Sequence, residues 1–134
     1  MSLTAQAKRI FSADLYATHT TGIELLEADE GYCKCRLQIT QNHLNAAGFV
    51  MGGAIFTLAD FTFAVASNLN RTHTVSLDSH IQYLRASKGP VLLAEARPIK
   101  EGKSHCFYQI TVSDGEGKTI ALVNTAGFRK ESPM

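Results

Sequence analysis

Neither sign of charge dominates this chain: 13 Lys and Arg stand against 12 Asp and Glu in 134 residues, a formal net charge of +1. That balance excludes the electrostatic footprint of a nucleic-acid binder and offers no attraction to an anionic membrane surface. Cysteine is scarce and odd in number, three in all, so no disulfide framework is expected. Cys33 and Cys35 lie two apart, on one face of a strand, and Cys106 stands alone; a reduced, cytoplasmic setting follows. There is no basic segment leading into a short apolar one, so no signal peptide is expected. Phosphate-binding glycine loops of the GxGxxG or Walker type are missing, and so is the Gly-x-Ser-x-Gly elbow of serine hydrolases. His19, His73, His80 and His105 show no spacing that would hold a metal with a carboxylate or thiolate. No repeat, linker or low-complexity stretch divides the chain, and its length predicts one domain over residues 1–134.

What is present is one long apolar run. Ala46 to Ser67 reads AAGFVMGGAIFTLADFTFAVAS, and Asp60 is its only ionisable residue. The run is long enough to raise a membrane span. Three glycines in its first third, a central Asp and the lack of Lys or Arg at either end argue against one. A carboxylate buried in such a segment is costly unless it is paired or used, and poised carboxylates are a property of active sites. Asp60 is therefore read as a candidate catalytic residue, with a purely structural, paired carboxylate as the alternative.

The periodicity predicts the remaining elements. Residues 3–17 place Ile10, Phe11, Leu15 and Tyr16 at helical spacing. Thr21–Ala28 and Tyr32–Thr40 read as strands joined at Asp29-Glu30-Gly31, and a loop over 41–50 leads into an interior helix from Gly52 to Asn68. From Thr72 the period is two. Val75, Leu77, Ile81 and Tyr83 alternate with Ser76, Asp78, His80 and Gln82, and strands follow at Val91–Lys100, Ser104–Ser113 and Lys118–Arg129. Asp114–Gly117 marks a hairpin, and Lys130–Met134 is expected to fray. The sum is an α+β fold: a long antiparallel sheet wrapped around one buried central helix, with a short N-terminal helix. The sheet's exposed edge and the polar face of strand 75–83 predict a dimer that continues the sheet.

Glycines at a helix start let a ligand approach the backbone, and the unpaired amides there suit an oxygen gaining negative charge. Close packing of the helix start is the alternative reading of Gly52-Gly53. Gly52 and Asp60 are eight residues apart, about 12 Å along a helix axis. A reacting carbonyl cannot touch both, since reacting groups lie about 3 Å apart. Serving one reaction, they must come from two subunits.

Asn45, Gly48, Gly52, Gly53, Leu58 and Asp60 match, in register, the pattern N-x-x-G-x-x-H-G-G-x-x-x-x-L-x-D. With Val75–Asp78, Tyr83–Ala86, Gly102-Lys103 and the Asp114–Gly117 hairpin, the chain from about Asp14 to Arg129 resembles the PaaI-like hotdog-fold acyl-CoA thioesterases. The resemblance implies hydrolysis of an acyl-CoA thioester by a homodimer or homotetramer, with no metal or organic cofactor, coenzyme A being part of the substrate. It implies that the Gly52 amide and the Asn45 side chain polarise the thioester oxygen. Asp60 from the other subunit acts as general base or nucleophile, and Ser76 helps to hold the water. Gly53 and Met51 border the substrate, and Arg85 and Lys88 are candidates for the CoA phosphates. Asn45 as a turn residue and Ser76 as an ordinary strand serine are the alternatives. Met51 departs from the pattern, which has His there; a thioether donates no hydrogen bond, so rate and substrate preference are affected more than reaction class. Two rival functions are a non-catalytic acyl-CoA-binding domain and an acyl-thioester dehydratase, whose His-carboxylate pairing His43 superficially matches.

Overall fold

The structure is a computed structural model that describes residues 1–133, with side chains described through residue 130. It runs α1 (Leu3–Phe11), a six-residue π-helical turn (Tyr16–Thr21), β1 (Ile23–Asp29), β2 (Tyr32–Gln38), α2 (Gly52–Asn68), β3 (Thr72–Tyr83), β4 (Val91–Glu101), β5 (His105–Asp114) and β6 (Thr119–Pro133). The six strands form one antiparallel sheet in the order β1-β2-β4-β5-β6-β3, so β1 and β3 are its edges.

The helix predicted over 3–17 ends at Phe11. Ser12 turns its hydroxyl back on the Arg9 carbonyl, and the Asp14 carbonyl takes both the amide and the hydroxyl of Thr18. Polar side chains that bond the local backbone compete with a helical ladder. Ala7 and Phe11 face the core, while Leu15 and Tyr16 lie exposed rather than on a buried stripe. Gly22, in the left-handed region at φ 90°, closes the π-helical turn and delays β1 to Ile23. At the other end, β6 continues to Pro133 and pairs it with Thr72, so the frayed tail expected from Lys130 is strand instead; Met134 lies outside the described residues.

Helix α2 spans the predicted Gly52–Asn68 and lies against the inner face of the sheet. Its side chains Leu58, Thr62 and Val65 and its C-cap Leu69 are buried, as are Cys33, Cys35 and Leu37 of β2 and Leu92, Ala94 and Ala96 of β4. Small residues on β2 and β4 let the helix sit close to the strands, and a full-sized aliphatic such as Leu58 contributes about 2–3 kcal/mol through burial. The C-terminus of α2 is tied down by polar groups. Asn68 exchanges two hydrogen bonds with the backbone of Thr74, and Arg129 donates to the Ser67 carbonyl (2.8 Å) and to the Thr74 hydroxyl (2.7 Å). Glu101 accepts from Arg129 and from the Tyr108 hydroxyl.

Two expectations about burial are corrected. The helix is not enclosed on every side: Gly53 and Asp60 are exposed and Phe56, Thr57 and Ala64 half-buried, a stripe on the face turned from the sheet. Asp60 therefore sits on that stripe, not in the core. In β3 the two-residue alternation breaks at a bulge between Ser76 and Asp78, which leaves Leu77 unpaired and exposed. An extra residue in one strand flips the faces beyond it. Thr74 is buried before the bulge; after it Ile81 packs against the core and Tyr83 reaches helix α2.

Candidate active site

The segment before α2 is a small closed loop. Leu44 and Val50 form an isolated antiparallel bridge, and Gly48 takes the positive φ (87°) that the turn requires. Asn45 organises it: its Oδ1 accepts from the amides of Ala47 (3.0 Å) and Phe49 (3.1 Å), and its backbone carbonyl accepts from Gly48. Two amide donors on one atom identify that atom as oxygen. The Nδ2 group points away with no acceptor among the described residues. The turn reading and the donor reading of Asn45 are thus compatible, since one end of the amide serves each.

His43 is fixed on both sides. The Thr40 amide donates to Nδ1 (2.9 Å), so the ring proton resides on Nε2, which donates to the Thr21 carbonyl (2.7 Å). Neither nitrogen is free to exchange a proton with substrate, and the His43 carbonyl accepts the Met51 amide (2.8 Å). The histidine pins the loop to the end of the π-helical turn, and a dehydratase base is thereby unsupported.

Met51 is the N-cap of α2 and supplies no side-chain cap. Its carbonyl takes the amides of Ala54 (3.0 Å) and Ile55 (3.2 Å), whereas the amides of Gly52 and Gly53 find no acceptor among the described residues. The first turn thus presents two free N–H donors at the positive end of a 17-residue helix, a setting that stabilises negative charge on an oxygen. The two glycines differ in surroundings. A side chain at Gly53 would enter open space, whereas at Gly52 it would meet the Tyr83 ring at 3.1 Å. Packing therefore accounts for Gly52 but not for Gly53.

Two cavities flank this turn. One, of about 420 Å³, is lined by Asn45, Phe49, Gly52, Tyr83, Arg85 and neighbouring residues. The other, of about 260 Å³, is lined by Tyr16, His43, Met51, Gly53 and Thr57 among others. Gly52, Asn45 and Arg85 are thus brought together. Lys88 stands at the border of the first cavity, its Nζ 5.1 Å from the centre of the Phe49 ring. Met51 and Gly53 belong to the second.

Asp60 and Ser76 line neither cavity. Ser76 is exposed on the edge strand beside the bulge. Water reaches Asp60, yet the protein around it desolvates its carboxyl, and this first, then the negative charge of Asp14, raises its pKa above the ordinary carboxylate value. Within one chain, Asp60 and Gly52 are separated by the length of helix between them.

Two residues of this region were not among the sequence candidates. Tyr83 donates from its hydroxyl to the Gly52 carbonyl (3.1 Å), and Asp14 acts on Asp60 from the connection after α1. The strand alternation put Tyr83 on the apolar face with Ile81, but nothing in it marked a contact with Gly52. Asp14 carried no signal. Among the described residues no group of three or more His, Cys, Asp or Glu side chains is arranged to hold a metal ion, and no helix is long and apolar enough to cross a membrane.

Comparison with known proteins places this arrangement. The model of the thioesterase superfamily matches residues 47–121. The chain is similar to acyl-coenzyme A thioesterase PaaI of Escherichia coli, with 33% identity over 81% of this chain and 78% of that one. The solved structure of the E. coli PaaI protein from the phenylacetic acid degradation operon superposes with a TM-score of 0.88 and 28% identity, covering 98% of this chain and 99% of the other. A Streptococcus mutans protein solved bound to acetyl-CoA gives a TM-score of 0.79 and 25% identity over 84% of this chain and 91% of its own. The chain belongs to the thioesterase superfamily, as a hotdog-fold member of the PaaI-like type.

Proposed function

We propose that this protein hydrolyses acyl-CoA thioesters to free acid and CoA at a site shared between two copies of the chain. The observation that carries the reading is the first turn of α2. Its two unpartnered glycine amides stand at the helix's positive end, beside the free Nδ2 of Asn45 and a cavity with Arg85 on its wall. Hydrolysis of a thioester passes through a tetrahedral oxyanion, and preorganised donors at its oxygen lower the barrier. The Gly52 amide and Asn45 Nδ2 are assigned that task. Arg85 and Lys88 lie on the side where the CoA phosphates are held, a guanidinium being suited to phosphate oxygens. The family membership and the acyl-CoA thioesterases among the relatives support the same chemistry.

Asp60 supplies the water side, as general base or as nucleophile, from the partner subunit. Two facts favour sharing. Asp60 is about 12 Å along the helix from Gly52, and the cavity beside Gly52 does not reach it. Edge strand β3 also leaves one row of backbone groups unpaired and exposes Leu77, Tyr83 and Leu84 by 57%, 52% and 50%. An edge strand of 12 residues with its backbone groups unpaired is a ready template for another strand. A second β3 laid against it as a homodimer, or a homotetramer built from two such pairs, covers it. Ser76, on that strand, then lies at the boundary between subunits, where it holds the attacking water.

A panel of short, medium, long-chain and aryl acyl-CoAs, followed by free-thiol release, tests the reading. Asp60→Asn is expected to lower turnover by at least about 100-fold while folding and self-association are retained. Full activity in that variant removes Asp60 from the mechanism. A protein that binds the panel without releasing CoA is the binding domain instead.

A further inference from the structure

A pair of glycines is the least restrained backbone with which a helix can begin, yet an oxyanion donor is effective only when its direction is set before the reaction. Something must hold this turn still. The loop side is held by the bonds from Met51 to His43 and from Val50 to Ser87, both of which stop short of the glycines. Gly52 itself is held by one side chain, Tyr83, at the end of β3. The hydroxyl donates to the Gly52 carbonyl at 3.1 Å. Ring atoms Cζ, Oη and Cε1 lie 3.1, 3.1 and 3.3 Å from where a side chain on Gly52 would begin. The contact is possible because residue 52 has no side chain, which gives Gly52 a reason beyond helix geometry.

The bonded carbonyl has a second consequence. The Gly52 C=O and the Gly53 N–H belong to one planar peptide unit. A donor on the carbonyl polarises the amide at the other end, as in any chain of hydrogen bonds. The Tyr83 hydroxyl thus orients the first-turn donors and strengthens one of them.

We infer that Tyr83 is a positioning residue for the thioesterase reaction: it clamps Gly52 and so sets the direction of the Gly52 amide that receives the developing oxyanion. It touches no reacting atom and acts through the glycine turn. The inference rests on the proposed role of that turn as oxyanion donor. It also ties the turn to β3, the strand that carries Ser76, so that a shift of the strand is felt at the donors.

Tyr83→Phe isolates the hydroxyl, because the ring still covers Gly52. With the acyl-CoA turned over fastest by the wild type, kcat is expected to fall by about fivefold, the effect of one neutral hydrogen bond, with KM within about twofold. The variant keeps the ring and loses only one hydroxyl hydrogen bond at the chain's surface, so Tm should not move. The acid limb of the kcat/KM profile should also stay in place, because the base is untouched. Independently of turnover, the Gly52 carbonyl carbon and the Gly53 amide nitrogen resonances should both shift in the variant. An unchanged kcat, a KM-only effect, or a fall in kcat matched by a fall in Tm overturns the proposal. Asp60→Asn measured alongside separates the two ideas: if it stays active while Tyr83→Phe is slow, the assignment of Asp60 fails and that of Tyr83 stands.

Discussion

Asp60 illustrates how a single charge is tuned by surroundings that belong to other elements. Its neighbours in sequence are apolar, and the surrounding protein is the larger cause of its raised pKa; Asp14, brought over by the connection after α1, is the second. In its proposed role as base Asp60 must be ionised to work, so the acid limb of the kcat/KM profile is expected to turn above the ordinary carboxylate value of about 4. Removing the like charge in Asp14→Asn should move that limb to lower pH. A limb at the same pH in both proteins would detach Asp14 from the site. The linkage has a definite sign. A carboxyl whose folded pKa lies above its unfolded one destabilises the fold fully above the folded pKa, and not at all below the unfolded value. Asp60→Asn should accordingly gain in Tm over wild type at neutral pH, and the gain should disappear as pH falls through that window.

Among the elements, α2 and β3 determine the site together. The helix is held at both ends by contacts with that strand: Tyr83 at the first turn, and the Asn68–Thr74–Arg129 cluster at the last. At the last turn Arg129 satisfies a carbonyl that the helix leaves without a partner and places positive charge at the negative end of the dipole. The Arg129 side chain is only 6% exposed and pairs with Glu101. Arg129→Ala should therefore cost about 3–5 kcal/mol, as breaking a buried ion pair does, measurable as a lower urea midpoint with unchanged slope. A loss below about 1 kcal/mol would place the cluster among ordinary surface pairs.

At the scale of the whole molecule, the proposed mechanism has two chains contribute to one site, and complementation between variants tests it. Gly52→Pro removes the donor and, because a side chain at position 52 meets the Tyr83 ring at 3.1 Å, also displaces that ring, so it disables the whole first turn of its own chain. Position 52 is the first of the helix, where proline is well tolerated, and Met51 already has the extended backbone (φ −61°, ψ 137°) that must precede a proline. Each of Gly52→Pro and Asp60→Asn should be inactive alone. Mixed and refolded together, they should recover about a quarter of wild-type activity, because half of the dimers are heterodimers and each has one intact site of two. Mixtures that stay inactive, with heterodimers shown to be present, would mean that both residues serve within one chain. Sedimentation at low concentration should show loss of activity in step with dissociation.

Much of this was legible in the residues alone because it depends on local periodicity and on the spacing of a few glycines. The bounds of α2, the turns at Asp29–Gly31 and Asp114–Gly117, and the Asn45–Asp60 pattern are of that kind. What local pattern could not reveal were features set by contacts distant in the chain. The break after Phe11 depends on side chains bonding their own backbone. The bulge at Leu77 is visible only against β6, 51 residues away in the register of Ser76 with Gly127, and it takes Leu77 off the face that Ile81 and Tyr83 share. Asp60 reads as buried because its neighbours are apolar, but exposure is a property of the assembled surface, and the stripe it occupies is one the sheet does not cover. The sequence by itself determined the family pattern, the bounds of α2 and that Gly52 and Asp60 lie too far apart on one helix to touch one reacting carbonyl. Only the tertiary structure decided which way those groups face, since facing depends on strand register, and register is settled by partners the local sequence does not contain.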